Sequence, residues 1–136
     1  MTMKTTVLFA CLLAATACKT TSIEKKIYND PRFTSGKEYG AHQFLEPKIF
    51  RFGDYSFAAG FSDSAANLAM YYGETEILSK TSLDGYFDSV AEVTLNDDGI
   101  SDFLIYNKFE DGTDIYSLES TSKTAFTYQL QGSEND

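Results

Sequence analysis

Tryptophan is absent, histidine occurs once, at His42, and cysteine occurs twice, at Cys11 and Cys18, in a chain of 136 residues. One imidazole and no paired thiols leave little room for a zinc centre or for Ser/His or Cys/His chemistry. His42 stands near Tyr39 and Phe44, the setting of a packing or hydrogen-bonding residue rather than a base. There is no G-x-S-x-G, P-loop, CxxC or HExxH pattern. Basic residues are scarce: 11 Lys+Arg face 20 Asp+Glu, for a net charge of −9. That balance argues against nucleic acid as a partner, because phosphates need a basic face. These absences give the expectation that the protein is not an enzyme. What is present is a hydrophobic content of 43% with 15% aromatic residues, enough to build a core, and a length that supports one domain.

The N-terminus reads MTMKTTVLFACLLAATAC. Lys4 gives a positive start, and nine apolar residues follow at 7–15. A membrane-spanning helix needs roughly 20, so this is the core of a signal peptide, expected over 1–17. Ala15 and Ala17 are small at the two positions a signal peptidase reads, and Cys18 comes next. Removal of the leader takes Cys11 with it and leaves a mature chain with one cysteine, unable to form an internal disulfide. The stretch from Leu12 to Cys18 resembles a bacterial lipobox. That resemblance implies a lipoprotein carrying diacylglycerol on Cys18 and a fatty acyl chain such as palmitate on its amine, anchored in a membrane of the cell envelope. Lys19, in place of Asp, implies the outer membrane by the sorting rule of two-membrane bacteria, facing the periplasm or the surface. The alternative is ordinary secretion with a free terminal thiol.

The polar segment KTTSIEKKIYNDPRFTSG at 19–36 shows no period and reads, together with Cys18, as a tether over 18–36. From Lys37 the pattern is mainly β, giving a single β-rich domain over 37–130: an antiparallel meander or sandwich of about seven or eight strands. Gly53-Asp54 separates KIFRF from YSFAA as the turn of a tight hairpin. Asp-Gly pairs at 84–85, 98–99 and 111–112 punctuate runs rich in Val, Ile, Phe and Tyr, as hairpin turns would. Phe103 and Ile105 alternate with Leu104 and Tyr106, apolar on both faces, which predicts a strand covered on both sides. SDSAANLAMYY at 62–72 fits either a short helix or a strand from Asn67 to Tyr72. The tail 131–136 is polar and reads as disordered. Charge is uneven: residues 18–80 hold eight acids and eight bases, residues 81–136 twelve acids and two bases. The acidic half either keeps β-turns solvated or faces cations or a basic protein partner.

One stretch, TLNDDGISD at 94–102, has the spacing of a calcium loop. In D-x-N-x-D-G-x-x-D loops, alternate oxygens point inward and glycine permits the sharp turn. Asn96, Asp98, the Ile100 carbonyl and Asp102 occupy the third, fifth, seventh and ninth places, while Thr94 replaces the first Asp. With the strand DFLIY that follows, the loop resembles those of FG-GAP and VCBS-type repeats, and the resemblance implies Ca²⁺ held at Asn96, Asp98, Ile100 and Asp102. The alternative is a hairpin whose Asp and Asn cap the turn backbone. The order of EPKIFRFGDYSF, NDDGISDFLIY and EDGTDIYS is also similar, loosely over 46–120, to periplasmic inhibitors of invertebrate-type lysozyme. The Ser-Gly loop that blocks the enzyme in that family is replaced here by Gly112-Thr113-Asp114-Ile115-Tyr116. The expected function is thus a non-enzymatic envelope lipoprotein whose β-domain binds or scaffolds, stiffened by calcium; the alternative is an inhibitor of a lysozyme-like cell-wall lytic enzyme.

Overall fold

The computed structural model describes residues 21–39 and 42–135. The segment expected to be a signal peptide and the expected lipidation site, Cys18, lie outside the described residues. Ten strands and one helix are present among those described. The helix α1 is Ser22–Tyr28, and the strands are β1 Lys37–Tyr39, β2 His42–Phe44, β3 Lys48–Phe52, β4 Tyr55–Phe61, β5 Ala66–Tyr72, β6 Thr75–Ser82, β7 Tyr86–Val93, β8 Asp102–Lys108, β9 Gly112–Ser122 and β10 Ala125–Asn135. They form a β1–β2 hairpin and two four-stranded antiparallel sheets, β3-β4-β5-β6 and β10-β9-β8-β7. Each large sheet is a meander, with every strand beside its neighbour in sequence. The mainly antiparallel sandwich expected from the sequence is the observed fold, with ten strands instead of seven or eight.

The two sheets meet over Phe57, Leu68 and Met70 from the first and Phe103, Ile105 and Leu118 from the second, all fully or almost fully buried. A second, smaller core lies on the opposite face of the first sheet. There Ala58, Ala69 and Tyr71 receive Ile23 and Ile27 of α1 and Phe33 of the segment after it. Ala58 and Ala69 are register partners at the middle of the sheet, and their small side chains let α1 approach closely. Burial on both faces explains why β4 and β5 are buried almost throughout.

Of the two readings left open for residues 62–72, the structure holds the strand, β5, and not the helix, because Ala66–Tyr72 pairs with both β4 and β6; strand pairing on two sides outweighs the helical propensity of Ala and Leu. Four features differ from the sequence reading. The segment read as a tether carries α1, capped by the Thr21 hydroxyl, which accepts from the Glu24 N–H. Seven residues with two apolar anchors, Ile23 and Ile27, are too few to show a period, and such a helix is stable only through its packing. The tail is not disordered through its length: β10 runs to Asn135, paired with β9 to Gly112. Asp84-Gly85 is no hairpin turn, since β6 and β7 belong to different sheets. Here the chain crosses between layers, with Gly85 at φ +76° and its α-carbon pressed so near the Lys108 carbonyl that a Cβ would lie 2.2 Å from that oxygen. Finally, β8 is fully buried on its core face but only partly on the other, where Asp102 is buried and Leu104 and Tyr106 are half-buried. The strands covered on both sides are β4 and β5.

The Gly53-Asp54 hairpin is as expected, with Phe52 opposite Tyr55 and Gly53 at φ +62°. β3 begins opposite Ala59, which leaves the end of β4 without a neighbour on that side. The 34–35 segment fills the gap: Thr34 bridges Phe61, and the Ser35 N–H donates to the Phe61 carbonyl. Gly60 permits this, because a Cβ there would lie 2.4 Å from the Phe33 carbonyl oxygen. Gly60→Ala is therefore expected to lift this segment and lower stability by about 1–3 kcal/mol, read as a drop in urea midpoint; an unchanged midpoint would show that the contact is dispensable. Arg32 pins the same segment. It pairs bidentately with Glu76 of β6 at 2.6 and 3.1 Å and with Asp30 at 2.7 Å. The Arg32 guanidinium holds the Asp30 carboxyl below its ordinary range, and Asp30 and Glu76 raise Arg32 in turn.

Candidate functional site

The turn between β7 and β8, residues 94–101, forms one end of the sandwich. Its spacing brings Asn96, Asp98 and Asp102 together, as the sequence predicts. Asp98 and Asn96 each fold the backbone onto themselves: the Asp98 N–H donates to Asn96 Oδ1 (3.2 Å) and the Ile100 N–H to Asp98 Oδ1 (2.9 Å). These are Asx turns, in which a short polar side chain replaces a backbone acceptor. Gly99, at φ +77°, completes the reversal.

Asp102 turns inward and is fully buried. Its Oδ2 accepts from the Leu95 N–H at 2.7 Å and the Asn96 N–H at 3.3 Å. Its Oδ1 accepts from the Ser120 N–H at 2.7 Å and the Ser120 hydroxyl at 2.9 Å. The carboxylate thus ties the loop to β9. Burial pushes its pKa up, but the hydrogen bonds from Ser120, Leu95 and Asn96 outweigh it and hold the group below the ordinary aspartate range. The loop has a further tie, because Asn96 Nδ2 donates to the Ser120 carbonyl at 3.0 Å and to Glu119 at 3.3 Å. Ser120 and Glu119, eighteen or more residues downstream, escaped the sequence reading, and no local signal marks them.

Of the four residues expected to hold calcium, Asp102 is committed to four hydrogen bonds, and the Asn96 Oδ1 and Asp98 Oδ1 atoms accept amides. Among the described residues no group of three or more His, Cys, Asp or Glu is arranged to hold a metal. Asp98 Oδ2 remains, and it meets the same Ser120 hydroxyl that bonds Asp102. One hydroxyl hydrogen serves only one of two carboxylates at a time. A cation placed there would relieve the competition of the two carboxylates for one hydrogen.

Beside the loop, a groove of about 270 Å³ separates it from the β3–β4 hairpin. Phe52, Tyr55 and Tyr72 supply aromatic surface, and Asp54 and Glu92 supply carboxylates at its rim. Tyr55 is fixed by donating to the Lys123 carbonyl at 2.8 Å. Burial raises its pKa, and Tyr72, Asp54 and Asp98 raise it further, so those acids lie close enough for their fields to be felt on the ring. A second depression on the other flank shares Glu92, Gly99, Ile100 and Ser101 and adds Asp97. Lys123 also lines the groove, so two carboxylates stand against one cation there; with the aromatic surface, that balance suits an ammonium or guanidinium group on the side away from Lys123.

The segment that replaces the inhibitory loop, Gly112 to Tyr116, is not a loop here. It lies within β9, paired with β8 and β10, and Gly112 and Thr113 are buried. The His42 backbone belongs to β2, opposite Tyr39. Among the described residues no helix is long and apolar enough to cross a membrane. Comparison with known protein families, with characterised proteins and with solved structures returned no match.

Proposed function

We propose that this is a non-enzymatic lipoprotein of the cell envelope, anchored through Cys18, whose sandwich domain binds a cationic group of a basic protein at the groove between the 94–101 loop and the β3–β4 hairpin. The observation that carries this reading is that Asp54 and Glu92 line one groove with Phe52, Tyr55 and Tyr72, outnumbering its single cation, Lys123. Attraction to such a partner is electrostatic at long range and weakens with salt. Asp54 and Glu92 are exposed, so reversing them leaves the core intact. A basic lysozyme is a suitable probe. The Asp54→Lys, Glu92→Lys double variant is expected to bind it at least about tenfold more weakly at low salt, a change of about 1.4 kcal/mol. Equal binding by parent and variant would sink the groove as the site. Residual lysozyme activity in the same titration separates the two functions: binding without loss of activity leaves a binding module, and loss of activity makes it an inhibitor.

Calcium is a proposed part of this reading, through Asp98, Asn96 and the Ile100 carbonyl. With Asp102 committed to amides, the site offers little formal charge and belongs with weak extracellular modules, in roughly the millimolar range. At about ten times its dissociation constant, an ion bound only by the folded state adds about 1.4 kcal/mol. The melting temperature is therefore expected to rise modestly between chelator and saturating calcium, and less so in Asp98→Asn. Identical melting in both conditions would remove calcium from the account.

A further inference from the structure

The second sheet ends on β10, which among the described residues has a hydrogen-bonded neighbour, β9, on one side alone. Terminal strands expose alternate amides and carbonyls and invite pairing, and proteins commonly guard them with charge. The other three terminal strands follow that practice. β3 carries Lys48 and Arg51, β6 carries Glu76 and Lys80, and β7 carries Asp88 and Glu92. β10 is eleven residues long, and from Ala125 to Ser133 it holds no charged residue and no proline. Its guard is a bulge between Leu130 and Gly132, which leaves the stretch before it regular from Phe126 to Leu130. Leu130 is 51% exposed although it stands at the end of the alternating series Phe126, Tyr128, Leu130.

The geometry points to β10 as a self-association edge, on which a second copy of this chain adds its own β10 antiparallel about a two-fold axis at Tyr128. Charge selects the edge: the chain carries −9, so two copies repel wherever their acidic surfaces meet, and β10 is the terminal strand whose 125–133 stretch brings no facing charges. Pattern selects the occupant and the register, because a second copy brings the same alternation of apolar and polar residues. Centred on Tyr128, Phe126 of one copy faces Leu130 of its partner, which covers the exposed leucine, and Thr127 faces Gln129. Aromatic–aliphatic and polar pairs of this kind stabilise antiparallel strands, and an isologous two-fold contact closes after two copies. Lys80 lies over the Tyr128 ring, 4.5 Å from its centroid, from β6 of the same chain and so from the core side of the strand.

Sedimentation velocity of the intact purified protein, in density-matched detergent and over a micromolar concentration series, tests this. The parent is expected to show a concentration-dependent monomer–dimer equilibrium that strengthens as salt screens the mutual repulsion. Binding of a basic partner responds to salt in the opposite sense, so this result stands or falls apart from the proposed groove. Thr127 and Gln129 are exposed and accept substitution without loss of the core, which matching melting curves confirm. Thr127→Lys with Gln129→Lys sets like charges opposite each other and is expected to sediment as monomer. Thr127→Lys with Gln129→Glu sets opposite charges together in the same register and is expected to restore the dimer. A parent that is monomeric throughout, a dimer untouched by the double lysine variant, or a failure of the charge-paired variant to dimerise would each overturn the proposal. An association that saturates only with a different protein, never with itself, would do the same.

Discussion

Phe103→Ala is expected to lower the folding stability by about 3–5 kcal/mol, the range for removing a fully buried phenylalanine side chain. Phe103 sits near the start of β8 with no exposed surface. Its ring meets Phe57 at 4.9 Å, Phe52 at 5.3 Å, Tyr55 at 5.6 Å and Phe126 at 6.1 Å between centroids. These partners come from β3, β4 and β10, so one side chain joins the two sheets and reaches a terminal strand. Removing it leaves a cavity that four rigid rings fill poorly. Small domains have only about 5–15 kcal/mol in total, so the variant loses a large share. Urea unfolding measures the effect, with Phe103→Leu as a control expected to lose far less. A loss below about 1 kcal/mol would mean that the sheets are held elsewhere.

Asp102→Ala should be nearly as damaging, by a different route. It leaves the Leu95, Asn96 and Ser120 amides without their acceptor, and an unsatisfied buried donor costs about 1–3 kcal/mol. The pH dependence gives this effect a signature. The carboxyl has a lower pKa folded than unfolded, so it binds fewer protons in the folded state. Its contribution is complete above the unfolded value of about 3.9 and is lost as pH falls through the lower folded value. Asp30 is depressed too, through Arg32, and adds to the same acid limb. Asp102→Asn is expected to flatten the limb in part, with stability at neutral pH already reduced. Urea midpoints of parent and variant at neutral pH and near pH 3 provide the comparison. Parallel acid limbs would show that Asp102 does not pin the loop.

The strands of the second sheet were legible because their turns carry strong local signals: Asp98-Gly99 and Asp111-Gly112 fall between paired runs of Val, Ile, Phe and Tyr. The same signal misled at Asp84-Gly85, where a glycine is needed for a close approach between layers and not for a hairpin. Local sequence does not distinguish the two, since the partner is the Lys108 carbonyl. Helix α1 was hidden for a related reason. Ile23 and Ile27 mean little until Ala58 and Ala69 are known to leave room for them. At the loop, spacing brought Asn96, Asp98 and Asp102 together but did not reveal which way each carboxylate faces. That orientation is decided by Ser120, which strand pairing places beside Asp102.

The helix cap at Thr21 has a bearing on where this body sits. With lipid on Cys18 as proposed, three peptide units separate the anchor from Thr21, and no conformation stretches them beyond about 11 Å. Under that anchoring, so short a span would keep the sandwich against the bilayer headgroups and restrict its tumbling. Any protein it captured would then have to come within reach of the lipid surface, because the domain would have no slack with which to search the space beyond.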